Sequence, residues 1–279
     1  VHSSPKYLPE LSIGIQHGIL WDRPNTKYAY LPQFLRYVIG AWRNYKGTVA
    51  IKPFKSIVCV DLVFPTNAAC VMAGLNWDKI NYIPNFAPPV NTIGELGANV
   101  SRIVFSRRFV EHRGTTIMVD AAKRILQSGW EGKVCFYGDG PLTEFIKNEL
   151  GQFKNFSITR LNHAERMSAF DSASIAVVPS LSTEGTSLSL IEAWSAGALV
   201  ISTGVGGLSN LVIDNYNGLL VKPNSTDLYE KLKWCIDGEA DVAQLRKRGL
   251  DTFKYGFNQD LWTERWDVTI RNILKTSSS

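Results

Sequence analysis

At 279 residues with 45% apolar side chains, the chain can bury a core as one large domain or two small ones, and no run approaches the ~18–20 apolar residues of a bilayer-spanning helix. The four cysteines, Cys59, Cys70, Cys135 and Cys235, form no Cys-x-x-Cys pair and the four histidines lack ligand spacing, so buried free thiols are expected and a zinc site is not. The net charge of +5 sits entirely in residues 1–88, where nine basic side chains face four acidic ones, against 21 of each beyond; an anionic partner is expected to meet that part.

In chain order, the first elements make a small αβ unit. Ser12–Gln16 reads as a strand, about Tyr30 to Tyr45 as a helix, and Ile57–Val60 as a second strand. The helix mixes Tyr30, Phe34, Tyr37, Trp42 and Tyr45 with Arg36, Arg43 and Lys46, which suits either a membrane-resting face or an ordinary amphipathic helix with snorkelling bases. Prolines at 84, 88 and 89 then disfavour regular structure. The expected division is 1–88 as a first unit, 89–100 as a linker, 101–257 as a second unit and 258–279 as a closing helix.

From Ser101 onward strands and helices alternate. Strands are expected at Ile103–Ser106, Val134–Tyr137, Phe156–Thr159, Ile175–Val178, Leu199–Ser202 and Leu219–Val221. Helices are expected at Thr115–Gln127, Leu142–Leu150, Ala164–Phe170 and Leu188–Ala196, and at Asn258–Leu274 with Asn258 as N-cap. Repeated βα units predict a mostly parallel sheet covered on both faces, with ligands at the carboxyl ends of its strands. Arg108, Gly138 to Pro141, and Glu184 each follow such a strand closely.

The stretch Ser180 to Gly197 is the most informative. Glu184-Gly185 stands in a polar loop, and an apolar, small-residue helix then carries Glu192. Between the two carboxylates lie the backbone N–H groups of Gly185, Thr186, Ser187 and Leu188. A helix N-terminus offers unpaired donors and partial positive charge to a phosphate, and a carboxylate can accept from the two vicinal hydroxyls of a ribose. Ser189-x-x-Glu192 also fits a capping box, which would make Glu192 structural. Gly204-x-Gly206-Gly207 adds a weak dinucleotide-type turn.

Glu184 to Ala193 resembles the Glu-(seven residues)-Glu signature of retaining glycosyltransferases with the GT-B fold, the family 4 or "glycosyl transferases group 1" type. Phe105 to Gly114 resembles that family's Gly-Arg-Leu-x-x-x-Lys-Gly element, and Tyr137 to Pro141 its Gly-Asp-Gly-Pro turn. The resemblance implies an α/β fold of two Rossmann-like domains facing a cleft, with the last helix crossing back onto the first domain. The usual first strand and Gly-rich loop of that domain are not in this sequence, so it also implies that the chain is part of a longer protein.

For the site, the resemblance implies that Arg108 and Arg113 bind the donor diphosphate, with Gly138 beside them. Glu184 is expected at the donor sugar, Glu192 at the ribose, and Gly185, Thr186, Ser187 and Leu188 as backbone donors. His17, at a strand end before Gly18, is expected near the reacting centre. The expected activity is a metal-independent, cofactor-free, retaining transfer of a hexose from a nucleotide diphosphate sugar to a glycan, glycolipid or lipid-linked acceptor. The expected setting is the cytoplasm, with peripheral membrane contact through residues 1–88 and no nucleic-acid partner. Two rivals differ in class. A non-catalytic sugar-nucleotide-binding module would bind without turnover, and a GT-B epimerase would change the donor with no acceptor present.

Overall fold

The computed structural model describes residues 13–16, 31–62, 68–90, 93–162, 165, 169–182 and 184–275. Strands β1 (Ile13–Gln16), β2 (Ser56–Cys59) and β3 (Ile80–Tyr82) form a parallel sheet in the order β1-β2-β3. Helix α1 (Gln33–Ile51) connects the first two, and a short helix α2 (Ala68–Met72) lies between the second and third. Every residue of β2 is buried, as its unbroken Ile-Val-Cys run requires of a strand covered on both faces. The expected first helix is displaced along the chain. The ring of Pro32 restricts Leu31 to extended backbone, so the helix cannot start before Pro32, which stands at its N-cap. It then runs through Gly47 and ends at Lys52, ahead of Pro53.

The second sheet is larger. It holds β4 (Arg102–Ser106), β5 (Lys133–Tyr137), β6 (Phe156–Thr159), β7 (Ser174–Val178), β8 (Leu199–Thr203) and β9 (Leu219–Val221). All pairs are parallel, in the order β6-β5-β4-β7-β8-β9. Its helices are α3 (Thr115–Gln127), α4 (Thr143–Leu150), α5 (Leu188–Ser195), α6 (Ser225–Ile236), α7 (Val242–Gly256) and α8 (Gln259–Lys275). Strand alternation divides the core. Ile103 and Phe105 face Met118 and Ile125 of α3 on one side, while Val104, Ala176 and Val200 face Leu190 and Trp194 of α5 on the other. The chain moves from β4 outward through β5 and β6, then returns to place β7 on the opposite side of β4. This reversal makes a topological switch point, and it opens a crevice above the carboxyl ends of β4 and β7.

The strands and helices expected beyond Ser101 all form within two residues, except the helix expected at Ala164–Phe170, which falls largely outside the described residues. Helices α6 and α7 were not anticipated; both begin at side-chain caps, Asn224 to the Asp227 N–H and Asp241 to the Gln244 N–H. Asn258 caps α8, its Oδ1 accepting from the Leu261 N–H at 2.9 Å. This helix lies against the smaller sheet: Thr269 and Ile273 share a cavity of about 280 Å³ with Ser56 and Asn81. Arg246 of α7 is buried and donates to the carbonyls of Gly97 (2.5 Å) and Asn99 (2.8 Å), which fixes the segment entering β4. No helix among the described residues is long and apolar enough to cross a membrane.

Candidate functional site

The site is built at the carboxyl ends of β4, β5 and β7. Leaving β4, the Arg107 N–H donates to the Tyr137 carbonyl (2.9 Å) and the Phe109 N–H to the Asp139 carbonyl (2.8 Å). The turn after β5 is pressed so closely on this strand end that a Cβ on Gly138 would lie 2.0 Å from the Arg107 carbonyl oxygen. The Gly-Asp-Gly sequence is therefore a packing requirement as well as a turn. Ser106, Arg107, Arg108, Gly138, Asp139 and Leu161 line a cavity of about 300 Å³ there, with Arg108 exposed at its rim.

Glu184 arrives from the loop after β7 and is only 8% exposed. Arg107 Nη2 donates to both of its oxygens, at 2.8 and 2.6 Å, and the Ser180 hydroxyl donates to Oε2 at 2.5 Å. Arg113 makes a second ion pair with the same Oε2. Burial pushes the Glu184 carboxyl up, but Arg107, Arg113 and Ser180 together outweigh it and hold it below the usual carboxylate range. Burial likewise pulls the Arg107 guanidinium below its ordinary value, against the opposing pull of Glu184. With Arg108 nearby, three guanidinium groups gather around Glu184, and Asp139 in the same cavity wall pairs with Arg160 at 3.2 Å.

The loop is held from behind by the glycine turn after β8. The Gly207 N–H donates to the Glu184 carbonyl at 2.5 Å, and a Cβ on Gly207 would sit 2.6 Å from the Gly185 carbonyl oxygen. Gly206-Gly207 thus permits backbone-on-backbone contact beneath the site. On the other side, the Thr186 hydroxyl donates to the Val60 carbonyl and the Asn85 amide to the Thr186 carbonyl (3.0 Å). These bonds tie the loop to the end of β2 and to the proline-rich crossing segment.

Helix α5 begins at Leu188, with Ser187 as N-cap and no side-chain cap. Ser189 is therefore inside the helix, and the capping-box reading of Ser189 and Glu192 is not what forms. Glu192 is the fifth helical residue and is 8% exposed. Gly185, Thr186, Ser187 and Leu188 lead into the first turn, as expected. The structure thus brings Arg108, Arg113, Gly138 and Glu184 to one crevice, with the α5 N-terminus beside Glu184; His17 lies outside the described residues.

Sequence reasoning missed Arg107 and Ser180. Their signal was weak: Arg107 stands directly before Arg108 at a strand end, and Ser180 is four residues before Glu184. Arg113, expected on phosphate, is held here by Glu184.

Comparison with known proteins agrees with this geometry. The family model "Glycosyl transferases group 1" matches residues 95–251, which include every strand of the larger sheet and both glutamates. An uncharacterized glycosyltransferase of Methanocaldococcus jannaschii is 37% identical over 149 residues, 52% of this chain and 39% of that protein. A second from the same organism is 26% identical over 206 residues, 71% of this chain and 52% of that protein. The chain therefore matches about half or less of the length of these relatives. Among solved structures, the sucrose-phosphate synthase of Thermosynechococcus elongatus superposes with a TM-score of 0.72 at 19% identity, over 95% of this chain and 68% of that one. The Anabaena protein HepE in complex with UDP gives 0.70 at 16% identity, over 93% and 72%. The two parallel Rossmann-like sheets have the GT-B arrangement of these neighbours, and by its sequence the chain belongs to the group 1 glycosyl transferases.

Proposed function

We propose that this chain carries the donor site of a retaining, metal-independent glycosyltransferase that moves a hexose from a nucleotide diphosphate sugar to a glycan, glycolipid or lipid-linked acceptor. The observation that carries the reading is the cluster of Arg107, Arg108, Arg113 and Glu184 at the switch-point crevice, beside the N-terminus of α5. Arg108 and Arg113 are assigned to the diphosphate. Guanidinium groups fork onto phosphate oxygens and stabilise the negative charge that grows as the sugar–phosphate bond breaks. Glu184 is assigned to sugar hydroxyls and Glu192 to the ribose. A carboxylate held in two ion pairs and kept below its ordinary pKa is a poor proton acceptor at neutral pH. The family resemblance favours a step in which the acceptor hydroxyl oxygen bonds to the anomeric carbon on the face from which the diphosphate leaves, as the sugar–phosphate bond breaks and a leaving phosphate oxygen takes the hydroxyl proton. His17 is assigned to a donor hydroxyl.

Residues 1–88 are assigned to the acceptor side, residues 101–257 to the donor side and the closing helix from 258 to the bridge between them. Peripheral contact with an anionic membrane surface belongs to the same reading. It is supported by the exposed Phe34, Val38 and Trp42 on α1 and by the excess basic charge of that part.

The test is turnover of UDP-, GDP- and ADP-sugars with glycan and lipid-linked acceptors, followed by the anomeric proton coupling of the product. Retention is expected. An inverted product overturns the assignment of Glu184 and Glu192, and a changed donor with no acceptor present replaces transfer by epimerisation.

A further inference from the structure

Arg107 is the most buried cation of the site. Its side chain is 5% exposed, and its position corresponds to the glycine of the Gly-Arg-Leu-x-x-x-Lys-Gly pattern that Arg108 and Arg113 resemble. One amino group, Nη2, is spent on both oxygens of Glu184. The other, Nη1, is buried and has no hydrogen-bond partner among the described residues. Arg107 is also among the residues lining the cavity of about 300 Å³ that holds Arg108 and Gly138.

We infer that Arg107 is a positioning residue of the donor site, which holds Glu184 with Nη2 and so fixes the carboxylate that Glu184 presents to the bound sugar nucleotide. This rests on the reading of the crevice as a donor site. Among the described residues, the groups facing Glu184 are Arg107 from the end of β4, Arg113 from the turn before α3, Ser180 from the end of β7 and the Gly207 amide beneath its backbone. Among the described residues, Arg113 and Ser180 both hold Oε2 and Arg107 reaches Oε1 as well, so Arg107 helps to set the rotation of the carboxylate. A planar guanidinium does this where a lysine ammonium cannot, because the ammonium is a point charge with no rigid donor plane to orient the carboxylate.

The test compares this chain with Arg107→Lys and Arg107→Met. Selective carboxyl-13C labelling of glutamate follows the titration of Glu184, and calorimetry with UDP-glucose, GDP-mannose and ADP-glucose follows the donor. Circular dichroism and melting report folding. In Arg107→Met the Glu184 midpoint should rise by at least one pH unit, because a buried carboxylate has lost one of the two cations paired with it. In Arg107→Lys the midpoint should stay low, while affinity for the nucleotide sugar that binds the unsubstituted chain falls at least tenfold. An unmoved midpoint in Arg107→Met overturns the hold on Glu184, and unchanged affinity in Arg107→Lys overturns the positioning of Glu184 for the donor. Should Arg107→Met fail to fold, Arg107→Gln replaces it in the titration with the same expected shift. If the unsubstituted chain binds none of the three nucleotide sugars, the donor-site reading falls together with the positioning of Glu184 for the donor. The titration still decides the hold on Glu184.

Discussion

At the scale of single residues, the two glutamates are separated by environment. Glu184 is buried among cations, and its charge is stabilised by them at the cost of desolvating all partners. Its native pKa lies below the unfolded value, so its contribution to stability is complete above the ordinary carboxylate range and is lost as pH falls through the native pKa. Melting temperature should therefore hold steady from neutral pH down to that range and then fall in acid, with a shallower acid slope in Glu184→Gln. Parallel slopes in the two proteins would show that the ion pairs do not survive in solution. Glu192 is buried on the first turns of α5, and its expected capping partner Ser189 is not the N-cap, which is Ser187. Glu192→Gln should weaken nucleoside diphosphate binding roughly 10- to 100-fold, since a hydrogen bond to a charged group contributes about 1.5–3 kcal/mol. Calorimetry on the folded variant checks this, and unchanged affinity would remove Glu192 from the ribose.

At the scale of elements, the position of α5 decides where Glu192 and the Gly185–Leu188 amides point. Trp194 anchors this helix: it is fully buried, its Nε1 donates to the Asn217 carbonyl at 3.0 Å, and its ring meets Phe257 with centroids 6.1 Å apart. Helix α7 can approach only because residue 249 is glycine; a Cβ there would lie 2.6 Å from Trp194 Cδ1 and 3.2 Å from the Asn217 carbonyl oxygen. Gly249→Ala should therefore destabilise the chain by about 1–3 kcal/mol, the usual cost of overpacking a filled core. Urea unfolding measures it, and a change under 0.5 kcal/mol, about the scatter of surface substitutions, would mean that Trp194 moves aside freely.

At the scale of the molecule, the loop that carries Glu184 is where the larger sheet meets the smaller one. Thr186 bonds to Val60, Asn85 to Thr186, and the Ala87 N–H to the Phe257 carbonyl at 3.3 Å, while Phe86 packs on Trp262 with centroids 4.8 Å apart. A ligand seated at Glu184 thus touches a loop that both sheets hold. The charge of that crevice also bears on metal dependence. Three arginines and a helix N-terminus already supply the positive charge that a divalent ion would bring to a leaving diphosphate. Turnover should survive EDTA undiminished. Its loss on chelation, with recovery on adding magnesium or manganese, would overturn the assignment of Arg108 and Arg113.

Local pattern determined much of this protein. Apolar patterns bounded by turns placed the six strands of the larger sheet to within a residue: the inner strands read as apolar runs because both faces are buried, and the edge strand β6 alternates because only one is. Spaced motifs brought Arg108, Arg113, Gly138 and Glu184 together, because strand ends of one parallel sheet share one edge. Helix α1 was placed but shifted, since amphipathic periodicity marks a helix more firmly than its ends, and Pro32 and Pro53 decided those. What only the tertiary structure decided were contacts between segments far apart in the chain. Arg107 meets Glu184 across 77 positions, and Asn85 meets Thr186 across 101. No local pattern encodes such a pairing. It follows from the order of strands at the switch point, where β7 returns beside β4 and carries a carboxylate onto an arginine that the sequence alone presents as one more basic residue.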